Sequence, residues 1–478
     1  MFMKKIISVV LAVVIMLSMA VPSYALSNDI VWEQCWNEEY NNGVVLFPGS
    51  DSSEMNVTWY SKTESEPKVI VSKSFSFSDT ETFTGCSVEA PDGDYSNKVT
   101  ITGLEAETKY YYQCISEGFE SNIYYFETDS KDNEFTAVYM TDIHISHIKD
   151  EVPDDDELKR TAGVFNGVLN EAVLKHNPSI LLSTGDQASD GLESEYKGLA
   201  SALALKTMPI ATTIGNHDRK GVAYKTFHNV PNEKENSLVS SYIGNDYWFV
   251  KGDVLFLVMD SNNASGIDHR NFVKDAINAN PEVKWKVMMA HHDLYSGRIP
   301  RRESENQLLR LLWAPIADEF GIDLVLLGHS HYYTVTNVMY GNKPVADYQP
   351  VMNNPEGTIY MVSGSITRPR DDSELGLNKE WIGYANIPDQ RIIYNVLDFT
   401  EDSITVSSYY QGEDRAFNTY SVVKTSADGG HKDVLFPSAF NSLVRVIGTI
   451  YAWFNNIGVY GDLKEDGFDV DFFEVVFA

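Results

Sequence analysis

Five short polar motifs hold the side chains of this sequence that could do chemistry. They are Thr141-Asp142-Ile143-His144, Gly185-Asp186, Gly215-Asn216-His217-Asp218, Ala290-His291-His292 and Gly328-His329-Ser330-His331. Carboxylates, imidazoles and one carboxamide are the donors that suit Zn, Fe, Mn and similar borderline ions; a Mg or Ca site would be all oxygen. In Asp-x-His and His-x-His, alternate side chains of a segment leaving a strand can reach one centre. Glycine before Asp186, Asn216 and His329 permits a sharp exit and close backbone approach. Singly, each motif is weak: Gly-Asp is usually a turn and a lone His a surface or core residue. Together, and in this order, they offer seven N/O donors to a metal centre.

Each motif must be positioned by what precedes it, and each follows a predicted strand. Residues 135–140, 180–183, 210–214, 254–259, 285–290 and 324–327 are continuous apolar runs, the pattern of strands covered on both faces. Helical stretches lie between them at 158–176, 195–206, 270–279 and 305–320. The alternation predicts a largely parallel sheet in an α/β layer fold. Ligands of such sheets collect outside the carboxyl ends of the strands, where the motifs stand. Residues 358–363, 392–397 and 404–409 read as further strands, with 398–403 turning the last pair into a hairpin. Upstream, from about 41 to 128, the pattern is all-β: short β-branched or aromatic runs at 56–60, 68–71, 98–101 and 124–127, punctuated by Gly, Asp and Ser. The segment from Leu104 to Tyr110 looks like the tyrosine corner of a fibronectin type III sandwich.

Composition sets outer bounds. The chain has 478 residues, 43% hydrophobic and 12% aromatic, which is ample for the cores of two or more domains and argues against disorder. A formal charge of −31 argues against binding nucleic acid through its phosphates, which requires a basic face. Such a protein can hold a phosphate ester only where local cations reverse the field. Lys4, Lys5, an apolar run over 6–19 and the small-x-small site Ser23-Tyr24-Ala25 read as a cleaved export signal over 1–25, hence a secreted protein. Of three cysteines, Cys35, Cys86 and Cys114, the last two lie in strand-like sequence; a Cys86–Cys114 disulfide and three buried thiols both stay open. Phe440, Leu443, Val444, Ile447, Ile450, Tyr451 and Phe454 have helical spacing, but Arg445, Asn455 and Asn456 interrupt a membrane span. Docking onto the protein and peripheral contact with a membrane or cell-surface partner both fit that segment.

The motif set resembles the calcineurin-like metallophosphoesterase superfamily. With the upstream sandwich, and with His291-His292-Asp293-Leu294-Tyr295 and Gly328-His329-Ser330-His331-Tyr332, it is similar to the purple acid phosphatase-like branch over roughly 43–411. That resemblance implies a metallophosphoesterase β-sandwich core flanked by helices, preceded by a fibronectin type III-like domain. The domains are then a signal peptide at 1–25, the sandwich at 26–130, the phosphoesterase at 131–425, and a linker with an amphipathic tail at 426–478. By resemblance, Asp142, His144 and His331 hold one metal ion, Asn216, His291 and His329 a second, and Asp186 bridges them. The two ions (Fe, Zn or Mn) and a bridging hydroxide leave the excess positive charge that captures a phosphate. The resemblance implies in-line attack by that hydroxide. The same resemblance implies that His217 touches the phosphoryl group or the leaving oxygen as a general acid, with Asp218 fixing its tautomer and orientation; His292 is a second donor or packs beside the ligand loop. Arg298, Arg301 and Arg302 follow the His291 loop and read as rim or surface charge.

One departure matters. Purple acid phosphatases have Gly-Asp-x-x-Tyr and lack the His of Asp-x-His; here the segment is Gly185-Asp186-Gln187-Ala188-Ser189, and His144 is present. The resemblance then implies that His144 replaces the phenolate, disfavouring ferric iron and the purple colour. The expected function is an exported phosphomonoesterase of acid phosphatase type acting on small phosphate esters. A phosphodiesterase or nucleotide hydrolase, and a cell-surface binding protein with a vestigial phosphoesterase domain, remain as other readings.

Overall fold

Alternation of apolar and polar residues, and its replacement by unbroken apolar runs, divides the chain into two layered units. The computed structural model describes residues 28–40, 42–234, 245–263, 265–298 and 304–425. The export signal at 1–25, Arg301, Arg302 and the tail at 426–478 lie outside the described residues. Among those described, no helix is long and apolar enough to cross a membrane.

The first unit is an antiparallel β-sandwich. One sheet runs Val45–Pro48, Met55–Ser61, Tyr95–Ile101, Cys86–Glu89; the other runs Glu81–Thr84, Lys68–Ser72, Lys109–Ser116, Phe119–Glu120, with Tyr124–Glu127 also on Lys109–Ser116. Alternate residues, among them Val57, Trp59, Val69, Val99, Tyr112 and Phe126, fill the space between the sheets. The tyrosine corner forms as predicted: the Glu105 N–H donates to the Tyr110 hydroxyl at 2.9 Å. The Cys86–Cys114 disulfide does not form. All three cysteines are free thiols, with Cys114 buried in one sheet and Cys86 exposed on a strand of the other. The thiols are not all buried either.

The second unit holds two facing seven-stranded sheets. The first runs Ile210–Thr212, Ile180–Ser183, Phe135–Met140, Ile393–Phe399, Ser403–Tyr410, Asn418–Val423, Val351–Asn353. The second runs Tyr247–Lys251, Val254–Val258, Trp285–Met289, Leu324–Leu327, Ile359–Val362, Thr334–Thr336, Ile382–Ala385. The six predicted parallel strands thus split three and three; the first set is continued by the antiparallel Ile393–Phe399, and the second is flanked by the antiparallel Tyr247–Lys251 and extended by the parallel Ile359–Val362. The antiparallel pairing of Tyr247–Lys251 with Val254–Val258 starts the second sheet, so the expected largely parallel sheet becomes two mixed ones. Tyr139, Leu182 and Leu397 meet Phe256, Val287 and Met361 in the core between them.

Helices cover the outer faces. Asp155–His176 and Glu193–Ala200 pack on the first sheet, Gly266–Ala279 and Ser304–Phe320 on the second. The longest begins at Asp154, whose Oδ1 accepts the amides of Asp156 and Glu157, a cap worth about 1 kcal/mol. It ends at Asn177 in the left-handed conformation. The helix Asn28–Glu39 falls within the stretch expected to belong to the sandwich. Its Trp32 and Trp36 instead pack against the core of the second unit, and Gly163 leaves room for the Trp32 ring.

Candidate metal centre

The five motifs leave their strands at one end of the facing sheets, and the backbone there is bent to aim them. Asp142, His144, Asp186, His329 and His331 all adopt left-handed φ between +50° and +70°. For residues with a Cβ this is costly, and it persists where the surroundings over-determine it, typically at functional sites. The surroundings here are specific. The Asp142 amide donates to the Gly185 carbonyl at 3.1 Å and the His144 amide to the Asp186 carbonyl at 2.8 Å, joining the first two motifs. Asp142 Oδ2 accepts the Thr141 hydroxyl at 2.8 Å and the His329 amide at 2.9 Å, tying in the last. Asp186 Oδ1 accepts the His217 amide at 2.8 Å. Glycine is required at the crossings: a Cβ on Gly215 would lie 2.0 Å from Asp186 Oδ1, and one on Gly328 2.0 Å from Thr141 Oγ1.

Backbone carbonyls set the imidazoles. A carbonyl can only accept, so His291 Nδ1 donates to Thr184 O (2.8 Å) and His331 Nδ1 to Arg368 O (3.0 Å). Their Nε2 atoms then face inward. His331 Nε2 lies 3.2 Å from His144 Nε2 and 3.0 Å from Asp142 Oδ1. Asn216 Oδ1 stands between His291 Nε2 (3.0 Å) and His329 Nδ1 (3.1 Å). Asp186 Oδ2 faces both sets, 3.7 Å from His144 Nε2 and 3.3 Å from His291 Nε2. All seven sequence-derived ligand residues therefore converge.

The electrostatics fit cations. Donor atoms of Asp142, His144 and His331 lie within 4.8 Å of one another, as do those of Asp142, Asp186 and His291 and those of His144, Asp186 and His217. Desolvation, and then the neighbouring histidines, hold His144 and His329 well below the ordinary imidazole range, keeping their lone pairs available. His291 is the converse: desolvation opposes its charge, yet the Asp186 carboxylate pulls it up to about 10. Asp142 Oδ1 is buried and accepts no hydrogen bond. Buried carboxylates that recruit a proton onto a neighbouring ring, beside neutral imidazoles, are a donor set that two divalent cations would satisfy.

The acid expected to orient His217 does not do so. His217 Nδ1 donates to the Ser189 carbonyl at 2.6 Å. Asp218 points the other way, accepting from the Ala188 amide (2.9 Å), the Gly215 amide (2.8 Å) and the Tyr196 hydroxyl (2.9 Å). Adjacency in sequence favoured Asp218, but the turn after His217 sends its side chain into the protein, where desolvation and then the Asp186 charge push it up to about 7. His292 packs on His329 at 4.6 Å between ring centroids, and its Nδ1 bonds the Ser261 hydroxyl at 2.8 Å.

A cavity of 460 Å³ opens over the cluster, walled by Asp186, Asn216, His217, Arg298, Arg368 and Arg370 among others. Arg298 came from sequence; Arg368 and Arg370 did not. They follow the strand Ile359–Val362, so the strand-end rule that located the five motifs would also have flagged Arg368-Pro369-Arg370. This loop also braces the first motif: Ser365 Oγ and Thr367 Oγ1 donate to the carbonyls of Asp142 and Ile143, each at 2.7 Å. Arg368 donates to Ser189 Oγ at 2.8 Å, at the position where purple enzymes carry tyrosine.

Residues 135–333 match the calcineurin-like phosphoesterase family, and residues 41–128 match the purple acid phosphatase N-terminal domain. No curated protein matches the chain significantly. Among solved structures, purple acid phosphatase PPD1 from yellow lupin (Lupinus luteus) seeds is similar at 16% identity and a TM-score of 0.67, over 83% of this chain and 78% of that one. PhoD is similar at 12% identity and a TM-score of 0.55, over 91% and 99%. At these identities the two structures speak for the fold, a β-sandwich ahead of a two-sheet α/β unit. With the converging ligand residues, the family matches identify a calcineurin-like metallophosphoesterase domain over residues 135–333, preceded by a purple acid phosphatase N-terminal domain over 41–128.

Proposed function

We propose that this metallophosphoesterase hydrolyses small phosphate monoesters, and that it does so outside the cell, in keeping with the export signal read in residues 1–25. The observation that carries the hydrolytic reading is the position of Asp186, one carboxylate facing both His144 and His291. We assign Asp142, His144 and His331 to one cation, Asn216, His291 and His329 to the other, and Asp186 to both. Bound there, two divalent ions (Fe, Zn or Mn) supply Lewis acidity toward the phosphoryl oxygens and an acidified water as nucleophile. The protein's own groups do the rest. Ser189 O holds the His217 ring by Nδ1 and leaves Nε2 to meet the leaving oxygen; Nε2 delivers a proton there from the imidazolium form, which burial disfavours and the Asp186 carboxylate favours. Arg368, whose charge is felt at both His144 and His217, favours the dianion of a monoester over the monoanion of a diester.

The test is elemental analysis of purified protein, followed by phosphate release from aryl monoester and diester substrates with each metal. Monoester turnover is expected to dominate. A strong diester preference would put the phosphodiesterase reading in its place, and no release from either substrate would revive a binding protein with a vestigial domain.

A further inference from the structure

Arg298 and Arg370 stand on the cavity wall in an arrangement that hydrolysis of a simple monoester leaves unexplained. Their backbones are fixed from several sides. Arg298 forms an antiparallel bridge with Leu375, and the Gly376 amide donates to Gly297 O at 2.7 Å, so the two arginine-bearing loops run side by side. The Arg298 amide bonds Ser296 Oγ at 3.0 Å, and Lys379 Nζ holds the carbonyls of Ser296 and Arg298. Pro369 stiffens the approach to Arg370, whose carbonyl accepts the Gln390 amide at 3.2 Å. The side chains are treated differently. The Nε of each arginine is buried and has no hydrogen-bond partner, and neither guanidinium pairs with an acid among the described residues. Both charges nonetheless reach the same Tyr332, and that of Arg298 also reaches His329.

Two cations mounted on one wall repel each other, and desolvating their donors without partners costs more. Asp186 is the acid among the described wall residues, while off the wall the charge of Arg298 is felt at the buried Asp293 and that of Arg370 at the exposed Asp371. Guanidinium forks match planar or tetrahedral oxyanions. Arg298 and Arg370 are both felt at Tyr332, and Arg298 at His329, whereas Arg368 is felt at His144 and His217. Building on the phosphoesterase reading above, we propose that Arg298 and Arg370 form a subsite for a second phosphate of the same substrate, and that bisphosphorylated small molecules are the preferred substrate class. The scissile phosphoryl group sits over the ligand cluster while the second phosphate spans the two guanidiniums.

The experiment is competition against p-nitrophenyl phosphate hydrolysis by the metal-loaded full-length protein. The competitors are fructose 6-phosphate and fructose 1,6-bisphosphate, which share one scaffold. Wild-type protein is expected to bind the bisphosphate about tenfold or more tightly, with each arginine contributing up to about tenfold through charged hydrogen bonds. Arg298→Gln and Arg370→Gln each reduce the ratio of the two inhibition constants, and the double variant brings it close to one. Equal inhibition by both sugars in wild type, or a ratio that survives in the double variant, overturns the subsite while hydrolysis of the aryl ester still stands. Failure to hydrolyse p-nitrophenyl phosphate at all sinks the phosphoesterase reading and, with it, this one.

Discussion

His217 is held by a backbone carbonyl and not by the carboxylate next to it in sequence, which separates two roles that adjacency merges. The ring is fixed through Ser189 O, so its chemistry belongs to Nε2 alone. His217→Ala should retain both metal equivalents and lose turnover about 10²-fold or more, the scale of general acid–base effects; metal content with steady-state kinetics checks this, and wild-type rates would remove His217 from the mechanism. Asp218 instead clamps the Ala188 and Gly215 amides and the Tyr196 hydroxyl. Truncating it orphans three buried donors, at about 1–3 kcal/mol each where no water replaces it. Asp218→Ala should therefore lower the denaturation midpoint strongly, whereas Asp218→Asn, which keeps an acceptor, should recover part of that stability. A full loss of activity in Asp218→Asn at wild-type stability would return Asp218 to a direct chemical role.

Strands deliver these residues, and the strands were also what the sequence showed best. Runs such as 180–183 and 324–327 coincide with the observed strands because burial on both faces leaves an unbroken apolar signature. The glycine-led exits marked where ligands would stand. Three things were hidden for physical reasons. The break between the two sheets depends on which strand edges meet, a non-local matter. The helix Asn28–Glu39 carries a short apolar stripe of Trp32, Cys35 and Trp36, but the partner of Trp32 is Gly163 on a helix far along the chain, which the local pattern does not show. Arg368 and Arg370 belong to no metal-ligand pattern; their place past the end of the strand Ile359–Val362 is the one signal of them in the sequence, and the fold brings them to the cavity. The turn at Gly185 offers a test at this scale. It has φ +90°, and a Cβ there would lie 2.5 Å from His291 Nδ1. Gly185→Ala should cost about 1–2 kcal/mol in backbone strain and push the His291 ring off its Thr184 carbonyl. Reduced metal content by elemental analysis and a lower urea midpoint are expected together; wild-type metal affinity would show that the His291 loop can yield.

At the scale of the whole molecule, the sandwich is joined to the phosphoesterase unit through buried polar contacts, and these titrate. The Tyr60 hydroxyl of the sandwich donates to Glu193 on the helix Glu193–Ala200, and Thr226 Oγ1 donates to the same carboxylate at 3.2 Å. Asp92 and Lys197 face it, and its charge is also felt at Lys98; Lys197 is in turn paired with Asp94 at 2.6 Å and with Asp92. Desolvation dominates, pushing Glu193 up to about 7 from 4.5, and desolvation pushes Glu195 to about 7 as well. Between those values the folded protein keeps a proton that the unfolded chain has released, so stability falls as pH rises. The contribution is fully present below about 4.5 and lost as pH passes through about 7; for Glu193 alone it is roughly 3 kcal/mol. Asp94 works in the opposite sense: desolvation raises it, but Lys197 and Lys62 outweigh that and hold it below 3.8, so its contribution is lost only in stronger acid. Urea midpoints measured from pH 4.5 to 8 should therefore decline for the wild type. Glu193→Gln, neutral throughout and still able to accept from Tyr60, should decline less steeply and be the more stable protein at pH 8. Parallel curves for the two proteins would mean that this carboxylate is already ionised at pH 5, and that the contact between the units carries no titrating group at Glu193.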